Sequence, residues 1–153
     1  YSDASWHKPN ELGYNMFGYY IHMYGGPISF AAKLLKIVAL SSAEAEYAAA
    51  SYTAKEVAFV RNLLTDLQFQ LSSPTVIAVD NQAAIRIAEN RGVTARTKHF
   101  IDAVHYIRHQ IDHQSVRLQF VRTNEQRADG FTKALDKTKF IAWCQSLMGL
   151  IDN

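Results

Sequence analysis

The sequence predicts an α/β domain: a mixed five-stranded sheet, with three antiparallel strands followed by two parallel strands, and helices on both faces. Three observations support this. Residues 17–32 hold aromatic and β-branched runs around a Gly-Gly-Pro turn, residues 41–67 repeat apolar positions at intervals of three and four, and residues 75–79 form the short apolar run TVIAV. A hairpin, a long helix and a strand buried on both faces are typical, in that order, of a mixed sheet covered by helices.

The predicted elements continue to the end of the chain. The long helix ends before Ser73-Pro74, the next helix ends at Arg91-Gly92, and residues 116–121 alternate as a strand does. In chain order, the prediction is strands at 1–4, 17–23 and 28–32, a helix at 41–67, a strand at 75–79, helices at 81–90 and 97–112, a strand at 116–121, and helices at 125–134 and 137–150. Strands four and five are expected to run parallel to the first.

Length and composition fit one globular domain over residues 1–153. Hydrophobic residues make up 48% of the chain, and eight Phe and eight Tyr supply apolar area for a sizeable core. No apolar run approaches the roughly 20 residues of a membrane-spanning helix, so no membrane partner is expected. The single Cys144 excludes an internal disulfide and indicates a reducing compartment. Because Tyr1 and Ser2 leave little strand before Asp3, we expect the chain to be part of a longer polypeptide.

Four acidic side chains occupy positions that are unusual for carboxylates. They are Asp3 in the first strand, Glu46 on the apolar stripe of the long helix, Asp80 directly after TVIAV, and Asp129 in the motif ADGF after the last strand. Acidic residues normally lie on solvated faces, and open α/β sheets place ligands at the carboxyl ends of their strands. Converging carboxylates repel one another unless divalent cations lie between them, and oxygen donors suit Mg²⁺ or Mn²⁺. We therefore interpret the four as candidate catalytic and metal-binding residues.

Capping separates Glu46 from its neighbour Glu44. Glu44 follows Ser41 by three residues, which is the spacing of a capping box at the start of a helix. This spacing assigns a structural role to Glu44. No such role is available for Glu46, which makes Glu46 the predicted metal ligand of the pair.

The other three carboxylates have structural alternatives that the sequence leaves open. Asp80 could cap the helix that follows it, because Asp is a common N-cap residue. Asp129 could be a solvated residue of a helix, and Asp3 could cap a turn.

A series of motifs resembles one known family. The strings, in chain order, are GGPISF at 25–30, VALSSAEAEYAAA at 38–50, VDNQAAI at 79–85, ARTKHF at 95–100 and EQRADGFTKAL at 125–135. Over almost the whole chain they resemble the ribonuclease H domain of copia-type LTR-retrotransposon polyproteins. The resemblance implies an RNase H-like fold, and it places the D-E-D-D metal-binding set of the family on Asp3, Glu46, Asp80 and Asp129.

The resemblance also implies an activity. The domain is expected to hydrolyse the RNA strand of an RNA/DNA hybrid during reverse transcription, using two Mg²⁺ ions about 4 Å apart, or Mn²⁺ in their place. The products would carry 3′-hydroxyl and 5′-phosphate ends. Expected partners are the hybrid and an upstream reverse-transcriptase domain. The expected location is the cytoplasm, within a virus-like particle, with the nucleus as the alternative.

Three features depart from the wider family pattern. The loop before Asp129 lacks the His that cellular and many retroviral enzymes carry there. Residues 97–105 read TKHFIDAVH, where copia-type relatives usually read TKHIDIRYH. The first strand is short, which leaves little chain to anchor Asp3.

Nucleic-acid contacts are expected from two groups of residues. The candidate nucleic-acid-binding residues are Ser41, Asn81, Gln82, Arg96 and Lys98. The first three adjoin the predicted metal ligands and would contact the 2′-hydroxyls that distinguish RNA from DNA. The last two lie around the start of a predicted helix in the basic second half and would contact phosphates. The net charge of +2 does not by itself indicate a nucleic-acid-binding protein.

Other interpretations fit fewer residues. An integrase-type polynucleotidyl transferase of the same superfold carries a Glu on a late helix, where this chain has Asp129. A catalytically weak or idle structural module that depends on an adjoining polymerase domain is the alternative function. His105, His109 and His113 recur at a spacing that can bind Zn²⁺, but stacked histidines on a partly exposed helix face explain them more simply. Cys144 is interpreted as a core thiol.

Overall fold

The computed structural model describes residues 1–6, 14–90 and 100–149 of the chain. These residues form five strands and four α-helices. In chain order they are β1 (Ser2–Ala4), β2 (Asn15–Met23), β3 (Gly26–Leu35), α1 (Ser42–Asp66), β4 (Thr75–Val79), α2 (Gln82–Glu89), α3 (Ile101–Asp112), β5 (Val116–Phe120) and α4 (Lys137–Leu147). None of the described helices combines the length and the apolar character that crossing a membrane requires.

The strands form two hydrogen-bonded ladders. β1, β2 and β3 pair antiparallel in that order, and β4 pairs parallel with β5. The two-residue turn Tyr24-Gly25 joins β2 to β3, and its φ angles of 50° and 81° suit the twist of a tight hairpin. β1 contacts β4. The predicted combination of three antiparallel and two parallel strands is confirmed.

Helices cover both faces of the antiparallel ladder. Successive side chains of a strand point to opposite faces, and Phe17 and Tyr20 lie three positions apart in β2. The ring of Phe17 stacks on Tyr52 of α1, whereas the Tyr20 hydroxyl donates a 2.6 Å hydrogen bond to the Leu147 carbonyl of α4. α1 and α4 therefore pack on opposite faces, as the sequence predicts.

Helix α1 is the central element of the core. Its first turns are alanine-rich, and Ala45, Ala48, Ala49 and Ala50 are at most 1% exposed. α1 contacts β1, β2 and β4 as well as α2 and α3. Small side chains permit this close approach from several elements, so residues on the first turns of α1 lie deep in the molecule.

The start of α1 matches the predicted capping box. The Ser41 hydroxyl accepts a 3.3 Å hydrogen bond from the Glu44 amide, and the Glu44 carboxylate accepts a 2.7 Å bond from the Leu40 amide. The return bond reaches one residue earlier than in the usual box. The structural role predicted for Glu44 is confirmed, and the register of the helix is the predicted one.

The helix predicted over residues 125–134 is wrong. The chain forms two short 3₁₀ turns there, Thr123–Glu125 and Asp129–Phe131. The Arg127 carbonyl, which would accept from the residue 131 amide in an α-helix, accepts a 2.8 Å bond from the Trp143 indole instead. Packing against α4 therefore overrides the local helical preference of this segment.

Candidate metal centre

Three of the four predicted carboxylates converge at one point. Asp3 comes from β1, Glu46 from the second turn of α1, and Asp80 from the residue directly after β4. One carboxylate oxygen of each lies within 4.8 Å of those of the other two. Residues 3, 46 and 80 thus form one acidic cluster, hereafter the carboxylate triad.

The capping alternative for Asp80 is excluded. The N-cap of α2 is Asn81, whose side-chain oxygen accepts from the Ala83 and Ala84 amides at 3.0 and 3.2 Å. This leaves the Asp80 carboxylate at the carboxyl end of β4, where it accepts a 2.9 Å hydrogen bond from the Thr123 hydroxyl. Asp80 is therefore oriented by the turn that follows β5 and not by the helix it precedes.

Glu46 has a buried carboxylate in which only one oxygen accepts a hydrogen bond from the described residues. The residue is 6% exposed, and its Oε1 accepts a 3.2 Å hydrogen bond from the Ala4 amide of β1. Its Oε2 is buried and accepts no hydrogen bond from any described residue. Burial, together with the charges of Asp3 and Asp80, raises the pKa of Glu46 to about 9.

Asp3 is the most deeply buried of the three. It is 1% exposed, and it lies opposite Gly18 in the β1–β2 pair. The Thr132 hydroxyl donates a hydrogen bond to Oδ2 of Asp3, while Oδ1 accepts none from the described residues and lies 3.7 Å from Nζ of Lys133. The turn-cap alternative for Asp3 is excluded, because the residue lies within a strand.

Asp129 lies beside the carboxylate triad and is linked to it through Lys133. It is half-buried in the second 3₁₀ turn, and Nζ of Lys133 donates a 2.7 Å hydrogen bond to its Oδ1. Burial raises the pKa of Asp129 to about 6 despite that bond, and the charges of Asp3 and Asp80 act in the same direction. The alternative of a freely solvated helical Asp129 does not fit this arrangement.

Close packing brings the Asp129 turn to β1. A side chain at Gly18 would meet Cβ of Phe131, and one at Gly130 would meet the Trp143 ring. The absence of a side chain at Gly18 allows the turn to lie directly on β2, opposite Asp3, and its absence at Gly130 allows the turn to pack on α4. The sequence shows both glycines, but the role of Gly18 depends on its contact with Phe131, more than a hundred residues further along the chain.

Gln126 joins three of the elements that carry the carboxylates, and the sequence alone does not reveal this role. Its side chain is 4% exposed, and its Nε2 donates to the Ser2 carbonyl at 2.9 Å and to the Ala78 carbonyl at 3.4 Å. Its Oε1 accepts from the Ala128 amide at 3.2 Å. Ser2 and Ala128 directly precede Asp3 and Asp129, and Ala78 lies two residues before Asp80. One buried amide therefore holds the backbone next to three of the four predicted ligands.

The residues of the triad fit a hard divalent cation. All donors are carboxylate oxygens, which Mg²⁺ and Mn²⁺ prefer. Acidic clusters are common without metals, but here a carboxylate oxygen of Glu46 is buried without a hydrogen-bond donor, which is costly unless a cation compensates it. The triad could therefore hold a metal ion, and Asp129 is linked to it through Lys133.

The structure describes three of the five predicted nucleic-acid-binding residues. Ser41 and Asn81 are the N-caps of α1 and α2, so both have structural roles beside the triad. Gln82 is exposed and lies two residues after Asp80 in the chain. Arg96 and Lys98 lie outside the described residues. The nucleic-acid contacts predicted for all five residues stay a prediction.

The histidines and the thiol behave as the simpler interpretation expects. His109 and His113 are exposed and stack with ring centroids 4.0 Å apart. Within residues 1–6, 14–90 and 100–149, the only group of three potential metal ligands is the carboxylate triad. Cys144 is free and half-buried in α4, so the predicted core thiol is only partly covered.

Comparison with known proteins establishes the relationships of the chain. No protein-family model matches it. It is 37% identical over 153 residues, all of its length, to the retrovirus-related Pol polyprotein from transposon TNT 1-94 of Nicotiana tabacum. The retrovirus-related Pol polyproteins from transposons RE2 and RE1 of Arabidopsis thaliana are 37% and 36% identical over 140 residues. The chain is a relative of transposon Pol polyproteins.

The chain spans only 10–11% of the length of these Pol polyproteins. The predicted resemblance to retrotransposon polyproteins is confirmed at that level. The names of the polyproteins do not say which of their parts corresponds to this chain.

Proposed function

We propose that this chain is the metal-dependent ribonuclease H part of a retrotransposon polyprotein. In this role it hydrolyses the RNA strand of RNA/DNA hybrids. The observation that carries the proposal is the carboxylate triad with its buried oxygen on Glu46 that no described donor satisfies. Relationship to transposon Pol polyproteins supports it, because such polyproteins are named as retrovirus-related. The D-E-D-D resemblance predicts the same residues independently of their burial.

Asp3, Glu46, Asp80 and Asp129 are the residues that would hold two divalent cations, Mg²⁺ or Mn²⁺. Such cations lower the pKa of a bound water and stabilise the leaving 3′ oxygen of the cleaved phosphodiester. The chain itself supplies the hydrogen-bond donors that hold the carboxylates in position. Main-chain and hydroxyl donors orient three of the carboxylates: the Ala4 amide for Glu46, Thr132 for Asp3 and Thr123 for Asp80.

Recognition of the hybrid would occur beside this centre. The exposed Gln82 and the capping residues Ser41 and Asn81 lie at the ends of elements that carry Glu46 and Asp80. Contacts to 2′-hydroxyls across the minor groove would select the RNA strand, since DNA lacks that group. Arg96 and Lys98 are proposed to bind phosphates, and an upstream reverse-transcriptase domain is the proposed neighbour in the polyprotein.

The test is cleavage of a labelled RNA/DNA hybrid by this chain, alone and joined to the upstream reverse-transcriptase domain. We expect cleavage of the RNA strand with Mg²⁺ or Mn²⁺, no cleavage in excess EDTA, and no cleavage by Asp80→Asn. Asn keeps an oxygen that can accept from Thr123, so this variant should stay folded. Equal cleavage in EDTA, wild-type turnover by Asp80→Asn, or no cleavage by either form would contradict the proposal.

A further inference from the structure

Lys133 lies between two of the proposed metal ligands. Its Nζ is 2.7 Å from Oδ1 of Asp129 and 3.7 Å from Oδ1 of Asp3. These are the ion pairs of Lys133 among the described residues. The two carboxylates come from opposite ends of the chain, so the ammonium bridges β1 and the second 3₁₀ turn.

The oxygens that Lys133 contacts are ones that a cation would need. Oδ1 of Asp3 is buried and accepts no hydrogen bond from the described residues, so the ammonium is the positive charge placed beside it. An ammonium and a divalent cation cannot occupy the same place between two carboxylates, because their charges repel and their volumes overlap. Glu46 and Asp80 form no such ion pair with Lys133.

The ammonium can leave without unfolding the site. The side chain of Lys133 is 42% exposed, so its four-carbon stem has open solvent on one side. Asp3 would keep the hydrogen bond from Thr132 to its Oδ2 after Lys133 moves. Displacement therefore exchanges one cation for another at Asp3 and Asp129 and leaves the fold in place.

We propose that Lys133 is an internal cation that occupies the Asp3–Asp129 side of the centre and competes with a second divalent cation there. The first divalent cation binds to the carboxylate triad, and the second binds only when the Lys133 ammonium swings into solvent. Loading of the two cations is therefore sequential. The inference rests on the proposed function, because it takes Asp3 and Asp129 as metal ligands.

The experiment is a Mn²⁺ titration of the purified chain by calorimetry and electron paramagnetic resonance, without substrate. The variants are Lys133→Met, Lys133→Arg and Lys139→Met. Lys139 is the matched control, since it is a lysine in a similar ion pair, 3.4 Å from Asp136, on the exposed surface of α4. Lys133→Met and Lys139→Met change the net charge equally, so only position distinguishes them.

We expect wild type to bind one Mn²⁺ tightly and a second weakly. Lys133→Met should bind the second Mn²⁺ at least about tenfold more tightly, since it removes a unit charge a few ångströms from the site. A signal of spin-coupled Mn²⁺ pairs should then form at lower Mn²⁺ concentration. Lys139→Met should resemble wild type, and so should Lys133→Arg, which keeps the charge. Adding Asp129→Asn to Lys133→Met should remove the second Mn²⁺ and keep the first.

Two results would overturn the inference. One is Lys133→Met titrating like Lys139→Met. The other is Lys133→Met tightening only the first Mn²⁺, with no coupled pair. Both leave the proposed function standing, because wild type would still bind Mn²⁺ at the triad. If wild type bound no Mn²⁺, or if Glu46→Gln bound Mn²⁺ as tightly as wild type, the metal centre itself would be wrong.

Discussion

At the scale of single residues, the protein maintains a buried carboxylate that its own donors do not satisfy. Glu46 is 6% exposed and has one hydrogen bond to the Ala4 amide, while its second oxygen has none from the described residues. A group of this kind weakens the fold unless a ligand compensates it. Under the proposed function, the compensating ligand is a divalent cation.

Glu46 and Glu44 form a natural pair of test and control. Both lie in the first turns of α1 and both are buried, but Glu44 accepts from the Leu40 amide at the helix start. We expect Glu46→Gln to lower the hybrid cleavage rate by orders of magnitude. Glu44→Gln should keep the rate and cost at most about 1 kcal/mol of stability, as the loss of a capping contact does. Cleavage rates and urea unfolding of the two variants check this, and the reverse pattern would identify Glu44 as the ligand.

Stability should depend on pH through Glu46 when no metal is bound. The pKa of Glu46 rises from its ordinary 4.5 to about 9 on folding, so the folded state favours the protonated carboxyl. The free energy of unfolding should be largest below about pH 4.5 as far as this group is concerned and should fall as the pH rises toward 9. Asp129, with a pKa raised to about 6, adds to the fall at lower pH.

The measurement is the melting temperature of metal-free protein from pH 5 to pH 9, for wild type, Glu46→Gln and Glu44→Gln. A domain of this size shifts by about 2–4 °C for each kcal/mol, so the slope is measurable. Glu46→Gln should flatten the slope and Glu44→Gln should retain it. A wild-type slope unchanged in Glu46→Gln would show that this carboxyl does not titrate as described.

At the scale of elements, the two ladders are connected near the site by a side chain. The Gln126 amide donates to main-chain carbonyls of β1 and β4, and its oxygen accepts from the amide that precedes Asp129. These bonds set the spacing of the strands on which Asp3 and Asp80 lie. Gln126 is therefore a positioning residue for the carboxylate triad.

Replacing Gln126 by Met keeps its length and removes all three hydrogen bonds. We expect Gln126→Met to cost about 1–3 kcal/mol of stability, because buried polar groups lose their partner, and also to weaken Mn²⁺ binding by the folded protein. Tyr20→Phe is the control, since it removes one buried hydrogen bond to Leu147 on the α4 side. Denaturant unfolding and Mn²⁺ calorimetry distinguish the two. Unchanged Mn²⁺ affinity in folded Gln126→Met would reduce Gln126 to a purely structural role.

At the scale of the whole molecule, affinity for nucleic acid and selection of the hybrid should depend on different residues. Lys98→Glu should weaken binding to hybrid and to duplex DNA alike and reduce the salt dependence, since phosphate contacts do not read the sugar. Lys98 lies outside the described residues, so this expectation rests on the sequence. Gln82→Ala should instead reduce the preference for hybrid. For Asn81, Ser is the better replacement, because Ser keeps the N-cap of α2.

Affinities for hybrid and duplex DNA at two salt concentrations check these expectations. If Lys98→Glu changes neither affinity, its positive charge is an ordinary solvated one. If Gln82→Ala and Asn81→Ser leave both binding and discrimination unchanged, these residues do not contact the sugar. The two outcomes are independent, because one concerns phosphates and the other the 2′-hydroxyl.

The sequence by itself determined the order of the five strands and four α-helices, the capping of α1 and the choice of candidate carboxylates. Local patterns suffice for these features. Alternation and helical periodicity report which face is buried, and the spacing from Ser41 to Glu44 depends on one helix turn. Glu46 could be selected because no local role explained a charge on an apolar stripe.

Only the tertiary structure decided how the carboxylates are connected. Residues 125–134 have a helical pattern, but the segment forms 3₁₀ turns. It does so because it makes hydrogen bonds to distant groups: the Trp143 indole donates to the Arg127 carbonyl, and Gln126 donates to the Ser2 and Ala78 carbonyls. The position of Lys133 between Asp3 and Asp129 likewise depends on segments far apart in the chain meeting in space. Such contacts leave no periodic signal in the sequence, because each one is a single meeting of distant residues.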